Sequence, residues 1–314
     1  MGLSGSYDFT LARREIIKEA YEIIGAIEPD ATVSTNEEAS AVISLQLLLK
    51  DIQSSGLWLH TYKDCILFLE KDKTQYSLGP SGDNAAEESD VVSTTLSDDH
   101  STSATSIKLT SGTGMANSDK IGIELDDGTA HWTTISSGAG TTTAVVASGV
   151  ASAAASGNTV YTYTSKIQRP LLIRDTSCRD SNNVDVPVSL VSLSHYRSLS
   201  NKQTDGDRPI EVAYDPQLTN GILNVWPRTS NVVNRLVFSM KRPAQNVDGY
   251  GQHVEIPTDW LSWFTCELAY KLSFKQPLPL QERMLIRNEA DRLKDGLHDY
   301  EDTSFFIDPV RRKA

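Results

Sequence analysis

Six histidines, three cysteines and 41 acidic residues are the groups most able to do chemistry in this chain, and their spacing decides whether they can act together. His60, His100, His131, His195, His253 and His298 are scattered, with no His-x-x-x-His or His-Glu-x-x-His step to put two ligands on one helix face. Cys65, Cys178 and Cys266 lie far apart and include no Cys-x-x-Cys pair, which points to separate thiols rather than a disulfide framework or a zinc site. Gly112-Thr113-Gly114 lacks the lysine of a phosphate loop, and no Gly-x-Ser-x-Gly elbow is present. The run Asp180-Ser181-Asn182-Asn183-Val184-Asp185 resembles the start of a calcium loop. It has no glycine at its sixth position and no glutamate at its twelfth, so it reads as a solvated turn. Acid pairs such as Asp98/Asp99 would serve a glycosidase only at the right separation in space. No catalytic residue, cofactor loop or metal set is nominated, and the expectation is a protein that is not an enzyme.

The elements that would position such residues are legible as periodicities. Trp260, Trp263, Phe264, Leu268 and Leu272 make one helical stripe after Pro257-Thr258, where the threonine hydroxyl is expected to cap. Gln276-Pro277-Leu278-Pro279 breaks that helix, and Ile286, Ala290, Leu293 and Leu297 mark a second one, an antiparallel partner for the first. At the other end, 10–27 reads as a helix with Leu11, Ile16, Ala20, Ile23, Ile24 and Ile27 inward and Arg13, Arg14, Glu15 and Lys18 outward. Ser34 and Glu37 form a capping box for the next helix, with Val42, Leu45, Leu49 and Ile52 in its core and Gly56 as its terminal cap.

Between the helical ends the period changes to two. Residues 65–69 and 74–78 suit a hairpin about Glu70–Lys73. From 85 to 165 Ser, Thr, Gly and Ala dominate, and short strands are expected at 106–110, 120–125, 131–135, 141–146 and 159–163. Further on, 210–214, 222–226 and 236–241 suit an antiparallel meander, with Thr219-Asn220-Gly221 supplying residues that tolerate positive φ at its first turn. The fold class expected is α+β. A discontinuous helical-bundle domain with a small antiparallel sheet (1–84 and 166–314) would carry an inserted all-β module (85–165).

The formal net charge of −12 argues against nonspecific adhesion to nucleic acid or anionic membrane. No apolar run is long enough to span a bilayer, and no apolar signal region is visible. Met1-Gly2-Leu3-Ser4-Gly5-Ser6 matches the loose myristoylation pattern but reads better as a Gly/Ser arm.

The order of several motifs resembles the head-to-tail adaptor family of short-tailed bacteriophages, also described as tail accessory or tail tubular proteins. The motifs are Arg14-Glu-Ile-Ile-Lys-Glu-Ala-Tyr-Glu-Ile-Ile-Gly25, the helix end Leu49-Lys-Asp-Ile-Gln-Ser-Ser-Gly56-Leu-Trp58, and Tyr76-Ser-Leu-Gly-Pro80. They continue with Gly206-Asp-Arg-Pro209, Leu223-Asn-Val-Trp226-Pro227, Ile256-Pro257-Thr-Asp-Trp260, Glu267-Leu-Ala-Tyr270 and the acidic-aromatic tail Tyr300-Glu-Asp-Thr-Ser-Phe305-Phe306. The resemblance spans 8–80 and 166–308, and the 85–165 insert departs from it. It implies a virion protein assembled in the bacterial cytoplasm as a ring, commonly a dodecamer. The ring would dock on the portal protein, seal packaged DNA that passes without sequence-specific binding, and seat tail nozzle or fibre proteins. Phe305, Phe306, Ile307, Pro309, Arg311 and Arg312 are the expected portal-docking strap, with apolar anchors and basic groups for an acidic surface. Two other functions are carried beside it: host- or glycan-binding through the insert, and cell-wall hydrolysis, for which no acid–base pair is nominated.

Overall fold

A computed structural model describes residues 9–54 and 62–298. Among them are five α-helices: α1 (Arg13–Ile23), α2 (Thr35–Ser54), α3 (Leu193–Ser198), α4 (Leu261–Ser273) and α5 (Leu280–His298). The strands in chain order are β1 (Tyr62–Phe68), β2 (Gln75–Leu78), β3 (Ala85–Glu87), β4 (Val92–Thr95), β5 (Ser106–Lys108), β6 (Lys120–Glu124), β7 (Ala130–Ser137), β8 (Thr143–Val146) and β9 (Thr159–Tyr163). They continue as β10 (Leu172–Arg179), β11 (Asp185–Pro187), β12 (Ser189–Leu190), β13 (Asp205–Gly206), β14 (Glu211–Asp215), β15 (Gly221–Trp226), β16 (Arg228–Thr229) and β17 (Arg235–Lys241). The architecture is mixed α+β. Contacts divide the chain at 60/61 and 243/244 into a helical unit made from both ends and a β unit between them. The composition shifts at 85 and 165 mark one sheet within the β unit.

The helical unit has one core. Ile16, Ile17, Ala20 and Tyr21 of α1, Leu45, Leu48, Leu49 and Ile52 of α2, and Trp263, Phe264, Leu268 and Leu272 of α4 share a buried cluster. Full burial of each large side chain stabilises the fold by about 1.5–3 kcal/mol relative to exposure. The α4 stripe is buried as its spacing predicts, whereas α5 contributes buried Ala290 and half-buried Ile286, Leu293 and Leu297. Helices α4 and α5 run antiparallel: Arg283 lies over Phe274 and Arg287 over Tyr270, so the number rises on one helix as it falls on the other. The Ser34–Glu37 box forms, Glu37 N donating to Ser34 Oγ (3.4 Å) and Ser34 N to Glu37 Oε2 (3.2 Å). Gly25 closes α1 in the left-handed region (φ 68°). Gly56 lies outside the described residues.

Three local expectations fail here. Helix α1 is shorter than 10–27, leaving Ile27 half-buried beyond its end and Ile23 exposed. Thr258 makes no capping bond; a 3-10 turn, Thr258–Trp260, starts the segment instead, with Trp260 N donating to Pro257 O (3.0 Å). Arg13 does not face water. It is 4% exposed, donating from Nη1 to the carbonyls of Val247 (3.2 Å) and Asp248 (2.6 Å) and pairing with Glu38 at 3.5 Å. The 244–256 loop presents carbonyls that need donors, and the Arg13 guanidinium supplies them for Val247 and Asp248.

In the β unit, a five-stranded sheet (β11-β10-β17-β1-β3) and a four-stranded sheet (β12-β14-β15-β2) enclose one cluster including Leu67, Tyr76, Leu78, Val212, Leu223 and Phe238. Strands β1 and β2 therefore do not form the expected hairpin; they belong to opposite sheets. The turn between them is held by other partners, Asp72 N donating to Thr229 O (2.9 Å) and Glu70 N to Tyr76 Oη (2.8 Å). The expected meander also divides. Strands β14 and β15 pair, but β17 lies between β10 and β1. Gly221 has no positive φ; it is needed because an added Cβ would lie 2.1 Å from Tyr214 Oη.

Residues 92–163 supply a six-stranded sheet, β4-β9-β6-β7-β8-β5, around its own cluster of Leu96, Ile107, Leu109, Ile121, Ile123, Ile135 and Val160. It curls until its edges meet: Ser97 N donates to Lys108 O (3.0 Å) and Thr110 N to Thr95 O (2.9 Å). Edge closure leaves few open backbone groups. On its outer face, Trp132, Tyr161 and Tyr163 pack on Phe68 of β1, at centroid separations of 4.9, 5.1 and 6.0 Å. Ile66 and Val237 join that contact, so β1 is buried on both faces.

Candidate interaction surface

Most of the polar side chains able to do chemistry are hydrogen-bonded within the scaffold. His100 Nε2 accepts from Lys108 N (3.1 Å), His131 Nε2 lies 3.3 Å from Ser148 O, and His195 Nε2 lies 3.1 Å from Glu211. His253 forms a backbone bridge to Ala12. The Asp98/Asp99 pair is split between unrelated partners, Asp98 bonding Lys108 Nζ and Asp99 accepting from Ser156 N. Lys108 holds the Asp98 carboxyl below the usual range. Asp180 closes its own turn, accepting from the N–H groups of Asn182 and Val184. Burial pushes the Cys178 thiol up to about 11, and raises Cys65 as well. Among the described residues, no three His, Cys, Asp or Glu side chains converge as metal ligands. His60 and the His298 side chain lie outside that description.

Three surfaces among the described residues differ in chemistry. The first is apolar and helical. Ile43 and Leu47, one turn apart on α2, are 60% and 58% exposed; Leu280 and Met284, one turn apart on α5, are 72% and 57% exposed. Leu285 and Phe274 are exposed near the same α4–α5 turn. A second apolar line on α2, beside an already complete inward stripe, is the sequence signal that could have revealed this surface.

The second is a groove of about 490 Å³ between α1 and α4. Phe9, Leu11, Ile23 and Leu261 supply apolar walls, Glu15, Lys18, Glu19 and Glu22 a charged rim, and Cys266 a half-buried thiol. Lys18 is already engaged, donating to Pro29 O (2.6 Å) and pairing with Glu22 at 3.2 Å. Glu15 accepts from Ala12 N (2.7 Å), capping α1.

The third is a polar cleft of about 360 Å³ in the β unit, lined by Ser93, Thr94, Thr95, Thr110, Thr159, Asn183, Tyr161 and Arg235. Arg235 is 5% exposed, stacks 4.9 Å over Tyr161, and donates to Asp180 O (3.0 Å) and Asn183 Oδ1 (2.9 Å). Its Nε has no hydrogen-bond partner.

The strap expected at Phe305, Phe306, Ile307, Pro309, Arg311 and Arg312 lies outside the described residues. No helix among the described residues is long and apolar enough to cross a membrane.

No family model matches this chain, and neither does any curated protein. Among solved structures, VP17, a capsid protein of bacteriophage P23-77, aligns over 62% of this chain and 78% of its own at 12% identity, with a TM-score of 0.12. At that score it carries no argument about fold or function.

Proposed function

We propose that this chain is a structural subunit of the connector between portal and tail in a short-tailed phage, working as a ring. The observation that supports the reading is the helical unit itself. Two distant ends of the chain close on one core and still leave turn-spaced apolar residues, Ile43/Leu47 and Leu280/Met284, in water. Such surface finds cover in an interface, and ring closure multiplies contacts that are weak one at a time. The motif order given above supplies the kind of interface. In this reading the partners are further copies of the chain, the portal protein and the next tail component, and DNA passes through the lumen. The strap at 305–312 engages the portal. A chain ending at Asp302 should keep its fold and lose portal binding in a pull-down; undiminished binding would remove the strap.

A second reading concerns the insert, and the hydroxyl-lined cleft favours it. Ser and Thr hydroxyls lining one cleft with an aromatic ring and a guanidinium suit a carboxylated glycan. Thr110→Tyr should fill the cleft and abolish binding to acidic polysaccharide; a chain that binds none of a panel of such glycans would end this reading.

A further inference from the structure

The geometry points to an occupant for the α1–α4 groove: the chain's own basic, apolar segment 305–313, folded back onto the helical unit in the free protein.

Where the chain leaves α5 is fixed by helix pairing. Arg283 meets Phe274 and Arg287 meets Tyr270; one turn further, Cys266 lies close enough to Glu289 and Arg292 to feel both charges. Continuing that register brings the end of α5 beside the first turn of α4. Leu261 and Ser262 of that turn line the groove. Phe305 is seven residues beyond His298. Extended chain covers about 3.3 Å per residue, so roughly 23 Å is available, several times the rise between Leu261 and Cys266.

Chemistry selects the segment. The groove offers apolar walls beneath a net negative rim: Glu15 also accepts from Ala12 N, Glu22 pairs with Lys18, and Glu19 adds a further carboxylate. Residues 305–313 carry Phe305, Phe306, Ile307 and Val310, followed by Arg311, Arg312 and Lys313, against the single acid Asp308. Residues 1–8 have no lysine or arginine to meet the rim. Tethering raises the local concentration of the segment to about the millimolar range, so a weak site suffices. The inference does not depend on the portal, and its test uses none.

Cys266 is a built-in reporter, being half-buried in the groove wall while Cys65 and Cys178 are buried elsewhere. Iodoacetamide should alkylate Cys266 roughly tenfold faster in a chain ending at Asp302, which keeps every described helix, than in the full chain. Glu19→Lys with Glu22→Lys should bring the full chain to the same rate as a chain ending at Asp302 that carries the same two changes, so that the direct effect of the Glu19 charge on the thiol cancels; a remaining difference would speak against the rim as the segment's partner. Ser304→Cys should form a disulfide with Cys266 within one chain, read by peptide mapping. Equal alkylation rates in the full and truncated chains would overturn the proposal. So would a Ser304→Cys disulfide found only between two chains, which would give the groove to a second copy.

Discussion

The helical unit and the β unit solve the problem of covering apolar surface differently. In the β unit each layer is buried by its neighbour: β1 has Leu67 facing one sheet and Phe68 facing the aromatic residues of another. Its exposed apolar residues, such as Leu172, Val184 and Leu218, are scattered over separate strands and turns. In the helical unit the core is assembled from both chain ends, and apolar residues recur one turn apart on the outside of α2 and α5. The helical unit thus keeps turn-spaced apolar pairs in water, whereas the exposed apolar residues of the β unit do not follow one helix face. The proposed assembly role would fall to the helices, and the polar cleft, lined by the insert together with Ser181, Asn183 and Arg235, would serve the second reading.

The largest test of this contrast is removal of one end. A chain ending at Glu255 lacks α4 and α5, so α1 and α2 lose the partner for their stripes; the helical signal at 222 nm should fall to the little that the short α3 supplies. A fragment that keeps it would break the idea of a shared core. Next in size is Phe264→Ala, which empties a fully buried site in the helical unit and should cost about 3–5 kcal/mol in urea unfolding. Phe238→Ala should cost a similar amount in the β unit, where the site is equally buried.

Replacing Arg13 with Met should cost about 1–3 kcal/mol, because the carbonyls of Val247 and Asp248 would lose their donor inside the protein. A change within error would mean that water takes over this role. Ser34→Ala removes a cap and should cost about 1 kcal/mol.

The smallest effect is one of pH. Arg179 donates to Asp185 through Nε (2.8 Å) and Nη2 (2.9 Å) and holds its carboxyl below the ordinary value of 3.8. A folded value lowered in this way adds stability above the unfolded pKa, and that contribution fades as pH falls through the folded one. Arg179→Met should flatten the loss of stability on the acid side of pH 4. An unchanged pH profile would show that the pair contributes nothing measurable, as is common for exposed pairs.

Helices were legible in the sequence because their information is local. Trp260, Trp263, Phe264, Leu268 and Leu272 declare a face by spacing alone, and Ser34 and Glu37 find each other within one turn. Strand existence in the insert was legible for the same reason: Ser106–Lys108 and Thr159–Tyr163 fall where alternation and turn residues placed them. Pairing was not legible. Cys65 to Leu69 is apolar on both faces, which marks a strand covered on two sides, but nothing in it names Phe238 as its neighbour rather than Tyr76. Arg13 was misread because its acceptors lie 234 and 235 residues away. The groove escaped for a related reason, since its two walls come from opposite ends of the chain.

The central claim is that the helical unit's apolar outer faces exist for other subunits, and molecular mass tests it most directly. Light scattering of the purified chain, alone and mixed with a portal protein, should give a closed multiple of the 34.5 kDa subunit in at least the second case, and Leu47→Asp with Met284→Asp should return it to one copy. A strict monomer under both conditions, with the unsubstituted chain at high concentration, would contradict the account.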